Sequence, residues 1–414
     1  MAIDFALSPA QRELQVQSRK FARDVLADAR RAELLATPEE RFLATRPTYE
    51  AMVAAGYLRK CIPIPAGGDN AGLVDMAIMA EEFYAVNPSV TLTMLGTVLG
   101  LLPVLLGGTP EQCGRLLAPF LKASGAPLAG FCSSEPGGSA NAASPPPGEG
   151  VRTIARLDGG QWVINGRKKW VSSATGWDRK GADLLCVVCR TNADARPEEG
   201  VSIIAVERLS SGIVFERAID AIGHRAHLVP QFGLRGVTAP RDNLLGREGG
   251  GLMLAAAAFT GTAALVCIFG VALMRAAFDF ALNFARTEKR GGVHAIIEHQ
   301  AVGYALADAK TTIEAARCFG WRACHALDTQ APGADELAIA AKIFGSEAAI
   351  RVIADLMRVV GIDSYDHEAP FGRLLQDALA LPIFDGGNLG IRRRQLHAML
   401  MRKDYDPLTA CGGA

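Results

Sequence analysis

The stretch Val151-Arg152-Thr153-Ile154-Ala155-Arg156-Leu157-Asp158-Gly159-Gly160-Gln161-Trp162-Val163-Ile164-Asn165-Gly166 decides the fold class. Residues 151–157 alternate, Asp158-Gly159 is a hairpin-turn signal, and Gln161 to Ile164 reads as a strand. Asn165-Gly166 gives a second turn signal. Further strands are expected at 168–173, 183–190, 201–206, 212–217 and 230–238, with loops such as Ser144-Pro145-Pro146-Pro147-Gly148 among them.

On both sides of this module the pattern is helical. Ser8-Pro9-Ala10-Gln11 supplies a cap, a first-turn proline and a glutamine three residues after the cap, so a helix is expected over 9–35. Others are expected at 47–56, 72–86, 89–106 and 110–122. Downstream, long helices are expected at 250–288, 296–328, 334–360 and 388–402, with a short one at 371–379. Helices, then strands, then helices point to an α+β chain, mostly α, rather than a βαβ sheet. The expected domains are an N-terminal helical domain over 1–127, a middle β domain over 128–242 and a C-terminal helical bundle over 243–414. No G-x-G-x-x-G follows a strand into a helix, which argues against a Rossmann cofactor site.

Half of the 414 residues are hydrophobic, enough for two or three domains with large cores. Basic and acidic residues balance at 43 each, so no charge footprint for nucleic acid or an anionic membrane is present. Two apolar stretches, Val86 to Gln112 and Leu252 to Met274, read as buried core helices, not membrane spans: the first carries prolines and glycines, the second is rich in Ala, Gly and Thr. Met1-Ala2-Ile3-Asp4-Phe5 lacks the pattern of a signal peptide. Cys186 and Cys189 lie inside the run Leu184-Leu185-Cys186-Val187-Val188-Cys189, which reads as a buried strand. With no second pair to complete a zinc site, the cysteines are expected to be free thiols in a reducing compartment, and the location cytoplasmic.

Chemistry concentrates at Ile383-Phe384-Asp385-Gly386-Gly387-Asn388-Leu389-Gly390, followed by Ile391, Arg392, Arg393 and Arg394. A helix starting near Gly386 places Arg392 on the face of Asp385, a rise of roughly 10 Å away. Two readings stand at this point. Asp385 is a catalytic base with a cationic partner, or it is a helix cap beside glycines that ease the turn.

Longer motifs add a resemblance. Phe131-Cys132-Ser133-Ser134-Glu135-Pro136-Gly137-Gly138-Ser139-Ala140-Asn141 is similar to the "T-E-P-x-x-G-S-D" loop of the acyl-CoA dehydrogenase superfamily of flavoproteins. Trp162 through Ser172 resembles its "W-x-[IL]-N-G-x-K-x-W-I-[ST]" segment, and Arg290-Gly291-Gly292 with Ile296 through Gln300 resembles its "R-x-x-F-G-x-x-I-x-x-x-Q" element. Phe384-Asp385-Gly386-Gly387 occupies the place of its "Y-E-G-T", where the glutamate is the base. Three departures stand out. Asp replaces that Glu, Thr260-Gly261-Thr262-Ala263 replaces "D-x-x-R", and Arg358-Val359-Val360-Gly361-Ile362 replaces "Q-x-x-G-G". These departures resemble one branch, the nitroalkane oxidases, as do Ala44-Thr45-Arg46-Pro47, Ile62-Pro63-Ile64-Pro65, Gly176-Trp177-Asp178 and Phe384 through Gln395.

The resemblance implies an acyl-CoA dehydrogenase-like fold with a barrel-like β domain and a C-terminal four-helix bundle. It implies FAD as cofactor, with Phe131, Ser134, Trp170, Ser172 and Gly387 at its site. Ser134 would meet the pyrimidine edge and Ser172 would lie near N5. Arg290, His299, Gln300 and Gly361 would serve the pyrophosphate and adenine side of a neighbouring subunit in a homotetramer. Asp385 would take the α-proton of a nitro compound, Arg392 would keep it ionised and offer a donor fork, and Thr262 would bond the carboxylate or line the pocket. The other reading of Thr262 is a helix-interior hydroxyl bonded to its own turn. The implied reaction is oxidation of neutral, mainly primary nitroalkanes through a carbanion–flavin adduct, with nitrite release and O2 as acceptor. The alternatives are thioester desaturation, a flavin monooxygenase, and a non-catalytic interaction protein.

Overall fold

The computed structural model describes residues 6–145, 147–208 and 211–411. Residues 1–5, read above for a leader, and Pro146 of the proline loop lie outside the described residues. Up to Leu121 the chain is helical, with α1 (Pro9–Phe21), α2 (Pro38–Ala44), α3 (Arg46–Ala54), α4 (Leu73–Val86), α5 (Pro88–Gly107) and α6 (Pro110–Leu116). The cap of α1 is the one expected: Gln11 N donates to Ser8 Oγ, and the Gln11 side chain accepts from Ser8 N. The helix expected to reach residue 35 instead changes pitch after Phe21, into a π turn at Ala22–Leu26 and a 3-10 segment at Asp28–Leu34. There Arg30 bonds the carbonyls of Ala85 and Val86 at the end of α4, tertiary bonds that local periodicity does not show. Helix α2 lies outside the helices expected above, yet Thr37-Pro38-Glu39-Glu40 spells a capping box, and that box is formed.

The strands are β1 (Ala129–Cys132), β2 (Ile154–Asp158), β3 (Gln161–Lys169), β4 (Leu184–Arg190), β5 (Val201–Glu207), β6 (Ile213–Ala218), β7 (Pro230–Pro240) and β8 (Leu244–Leu245), with a single turn α7 (Pro197–Gly200) before β5. They form one sheet in the order β6-β7-β3-β2-β4-β5-β8, with β1 parallel to β4. Asp158 pairs with Gln161, so the expected hairpin is present. Asn165-Gly166 is not a turn. The register of β3 against β7 shifts between Ile164 and Gly166, so this is a bulge inside one long strand. Asn165 Oδ1 accepts from Gly236 N at 2.8 Å. A Cβ on Gly166 would stand 2.4 Å from Thr153 Oγ1, so glycine serves close packing here rather than chain reversal. Cys186 and Cys189 are buried in β4, as expected of a core strand.

From Gly251 the chain is helical again, with α8 (Gly251–Thr287), α9 (Gln300–Asp328), α10 (Ala334–Val360) and α11 (Phe371–Ala380), then a π-helical turn at Asn388–Arg392 leading into α12 (Arg393–Leu400). Small residues let α8 and α10 cross closely: a Cβ on Gly270 would meet Gly345 O at 2.4 Å. Helices α5 and α8 are long and apolar enough to cross a membrane by composition, but 67% and 50% of their apolar windows are buried in the fold. They pack as core helices, α8 against α10, α9, α4 and α5. Buried Glu81 and Glu82 of α4 pair with Arg275 of α8, and Glu81 also pairs with Arg317 of α9, tying the N-terminal helices to the bundle.

Candidate active site

Asp385 sits in the link between α11 and the π-helical turn, and its side chain is only 5% exposed. Its φ is +52°, a left-handed conformation that aspartate tolerates better than most residues. Gly386 follows at φ +73°, where a Cβ would stand 2.9 Å from Arg392 Nε. Glycine therefore lets the arginine lie against the turn. The capping reading of Asp385 is overturned: the helical turn begins after Gly387, and no side chain caps it.

Thr262 of α8 donates to Asp385 Oδ1 at 2.8 Å. Its hydroxyl also stands 3.2 Å from Phe259 O of its own turn, the longer of the two contacts. The hydroxyl has one proton, and the charged, nearer acceptor is the stronger partner. Arg392 is buried, and its shortest bonds go to backbone carbonyls. Nη2 donates to Phe259 O and to Asp385 O, both at 2.8 Å, and Nε donates to Asp385 O at 3.2 Å. The carboxylate Oδ2 lies 3.5 Å from Nη2, an ion pair at the edge of hydrogen bonding. Arg392 thus grips the backbone of the base more firmly than its carboxylate. Burial is the largest influence on Asp385 and raises its pKa above the ordinary 3.8, with Arg392, Lys342 and Thr262 pulling the other way.

The sheet reaches this site through aromatic contacts. Phe131, at the end of β1, is buried with its ring centroid 5.1 Å from that of Phe259, whose carbonyl Arg392 holds. Arg394 donates to Ala140 O at 2.7 Å, fastening α12 to the loop after Ser134. Lys169 N donates to Ser134 O at 3.1 Å, which brings the Ser134 loop beside Trp170. Trp170 is 51% exposed at φ +65°. Ser172 follows it, and a Cβ on Gly96 of α5 would collide with Ser172 at 2.7 Å, so α5 is shaped to admit it. Ser172 Oγ lies 3.1 Å from His227 Nε2, and His227 Nδ1 lies 3.0 Å from Thr93 Oγ1. Burial pushes His227 down to about 3, so the ring is neutral. His227 was not singled out from sequence; the paired histidines of Gly223-His224-Arg225-Ala226-His227 were the available signal.

The remaining candidates gather elsewhere. Arg290 donates to Val360 O beside Gly361 and pairs with Asp363 at 2.7 Å. His299 and Gln300 are exposed at the start of α9. From Thr262 to the end of α8 at Thr287 the helix rises roughly 38 Å, so this group, beyond that end, is set apart from Asp385. Gly387 closes the turn at Asp385, where its carbonyl accepts from Ile391 N at 2.9 Å.

Three family models match the chain: the acyl-CoA dehydrogenase N-terminal domain over residues 8–124, the middle domain over 130–235 and the C-terminal domain over 249–401. The chain belongs to the acyl-CoA dehydrogenase family of flavoproteins. Within that family its full-length similarity is to nitroalkane oxidases. It is 42% identical to the nitroalkane oxidase of Podospora anserina, with the whole of both chains covered. It is 37% identical to that of Fusarium oxysporum, covering all of this chain and 98% of the relative. The solved Podospora anserina enzyme superposes with a TM-score of 0.95 over the full length of both chains. A nitroalkane oxidase variant crystallised with 1-nitrohexane does so at 0.96, with 36% identity and full coverage of both chains.

The cofactor of this family is FAD. The residues present fit it. A half-exposed indole on a fixed strand end, with the partly exposed hydroxyls of Ser134 and Ser172 near it, offers a flat apolar face and an adjustable hydrogen-bonding edge.

Proposed function

We propose that this chain is an FAD-dependent oxidase of neutral, mainly primary nitroalkanes, giving an aldehyde or ketone, nitrite and hydrogen peroxide. For a primary substrate, nitroalkane, O2 and water give aldehyde, nitrous acid and hydrogen peroxide. FAD supplies the electron acceptor and its reoxidation by O2.

The chain's own part is the proton. A nitro group acidifies its α-carbon because the charge left behind moves onto the nitro oxygens. A carboxylate of modest basicity then suffices as base, and burial makes Asp385 more basic than usual. Thr262 occupies Oδ1 at 2.8 Å, while among the described residues Oδ2 has only Arg392 at 3.5 Å, so Oδ2 is the oxygen with room to take a proton. Arg392 fixes the direction of the carboxylate by holding the carbonyls of Asp385 and Phe259. Phe131 and Phe259 supply an apolar wall beside it. One observation carries this reading: a buried carboxylate with one short hydrogen bond, standing next to a buried guanidinium.

The separation of Arg290, His299, Gln300 and Gly361 from Asp385 supports a cofactor contact across subunits, and the family resemblance implies that the assembly is a homotetramer. The free cysteines support a cytoplasmic location. The test of the function is direct. The visible spectrum establishes FAD, and O2 uptake with nitrite release from a small primary nitroalkane is the expected result. FAD-loaded protein that releases no nitrite, yet is bleached by an acyl-CoA without oxygen, would replace this reading with thioester desaturation.

A further inference from the structure

Lys342 lies on the inner stripe of α10, among Ala338, Ala341, Gly345 and Ala349, all buried. Its side chain is fully buried. A lysine in such a place costs several kcal/mol to desolvate, so its partners need a reason. The ammonium donates to Asn388 Oδ1 at 2.9 Å and to Leu381 O at 3.3 Å. Leu381 is the C-cap of α11, and Asn388 opens the π-helical turn that carries Arg392. One nitrogen therefore ties both ends of the segment 381–388, and Asp385 lies between them.

The far side of this tie is also fixed. Asn388 Nδ2 donates to Ser346 Oγ at 3.0 Å and to Glu347 Oε1 at 3.1 Å, which sets the orientation of its amide. Glu347 is braced in turn by two bonds from Arg393, at 2.7 and 2.9 Å. Asn388 N donates to Pro382 O at 2.8 Å and closes the loop. Both hydrogen-bond partners of Lys342 are neutral oxygens, so its charge is not consumed by a contact ion pair with either. The charged groups that act on it are Asp385 from the tied segment, Arg392 from the end of the π-helical turn that follows, and Glu347 from its own helix. Burial pushes its pKa down to about 8, with Asp385 the leading charge in its favour, and the ammonium remains the main form at neutral pH.

We propose that Lys342 is a positioning residue for the base: it clamps the segment 381–388 at both ends and sets a fixed positive charge near Asp385. The proposal rests on the reading of Asp385 as the base for neutral nitroalkanes. Removing the lysine loosens the aim of the carboxylate and makes its ionisation harder. Nothing in that role touches a substrate already deprotonated.

The test uses the FAD-loaded full-length enzyme and the substitutions Lys342→Met and Lys342→Gln. The glutamine restores a neutral donor toward Asn388 without the charge. With Lys342→Met, kcat/KM for a neutral primary nitroalkane should fall about 10- to 100-fold, the scale of a small misplacement of a reacting group. The acidic limb of its pH profile should move to higher pH, while turnover of the preformed nitronate is spared. Lys342→Gln should recover part of the rate but not the position of the limb. Equal loss on neutral nitroalkane and nitronate, with an unmoved limb, marks a merely structural lysine and overturns the proposal, as does no change on either substrate. An infrared titration of the Asp385 carboxyl, assigned with Asp385→Asn, gives a readout free of turnover. Its midpoint should rise in both lysine variants, and an unmoved midpoint overturns the proposal. If the unaltered enzyme releases no nitrite, the parent reading has failed, and the same titration still decides whether Lys342 acts on Asp385. If Lys342→Met does not fold, Lys342→Gln and the titration decide.

Discussion

Glu135 and Asp385 are both carboxylates removed from water beside a cation, and the fold treats them in opposite ways. Glu135 Oε1 accepts from Thr153 N at 2.9 Å, Thr153 Oγ1 at 2.6 Å and Lys168 Nζ at 2.9 Å, and Oε2 accepts from Arg152 N at 2.8 Å. Burial works against its charge, yet Lys168 and the Thr153 donors outweigh burial and hold its pKa below the usual carboxylate value. Asp385 has one short hydrogen bond and a guanidinium at 3.5 Å that is occupied with carbonyls, and there burial wins. A nearby cation is common to both sites. The number of donors aimed at the acid separates them. The first arrangement locks an anion into the sheet; the second leaves an oxygen able to take a proton.

The hardest test of this contrast is Asp385→Asn. Turnover of neutral nitroalkane should drop about 10²- to 10⁴-fold, the usual contribution of a general base, with preformed nitronate largely spared. Equal loss on both would remove Asp385 as the base. Next comes Glu135→Gln, which breaks a buried pair and should cost about 3 kcal/mol of stability, roughly 10²-fold in the folding equilibrium. Denaturant unfolding reads that loss, and the acidic limb of kcat/KM should stay where it is. A moved limb would mean the two sites are not separate.

Smaller effects refine the picture. Thr262→Val removes the one short bond to the carboxylate and should lower kcat/KM about tenfold, the scale of a hydrogen bond to a charged group, and shift the acidic limb upward. Thr262→Ser keeps the donor and should change little. In the unaltered enzyme, kcat/KM for the neutral substrate should rise with pH as Asp385 ionises, with a midpoint above the ordinary 3.8. Stability runs the other way. A carboxyl whose pKa is raised by folding leaves stability untouched below the ordinary value and subtracts from it as pH rises through the folded one. Asp385→Asn should therefore be slightly more stable than the parent at neutral pH, measured as a higher Tm.

Much of this arrangement was legible beforehand. The Asp158-Gly159 hairpin, the cap at Ser8 and the long helices α8 and α10 follow local rules of turn chemistry, capping and periodicity, and each formed with small shifts of boundary. Asn165-Gly166 misled because the same dipeptide serves a turn or a bulge, and only the partner strand β7 decides which. Local rules place a lysine in a helix on the solvated face, and only the apolar stripe it shares with Ala338 and Gly345 marks Lys342 as buried. Arg392 pairs with the Asp385 carboxylate as expected, but only at 3.5 Å, because its nearest acceptors are the carbonyls of Asp385 and Phe259.

By itself the sequence determined the order of helices, strands and helices, the positions of the motifs, and the kinds of residue available for chemistry. Those depend on neighbours a few positions apart. Only the tertiary structure decided how basic Asp385 is, which oxygen stays open, and what Lys342 and Arg392 hold. The bond from Thr262 to Asp385 joins residues 123 positions apart, and that from Arg392 to Phe259 spans 133. Desolvation, the force that sets the base, depends on what the whole fold places around one carboxylate.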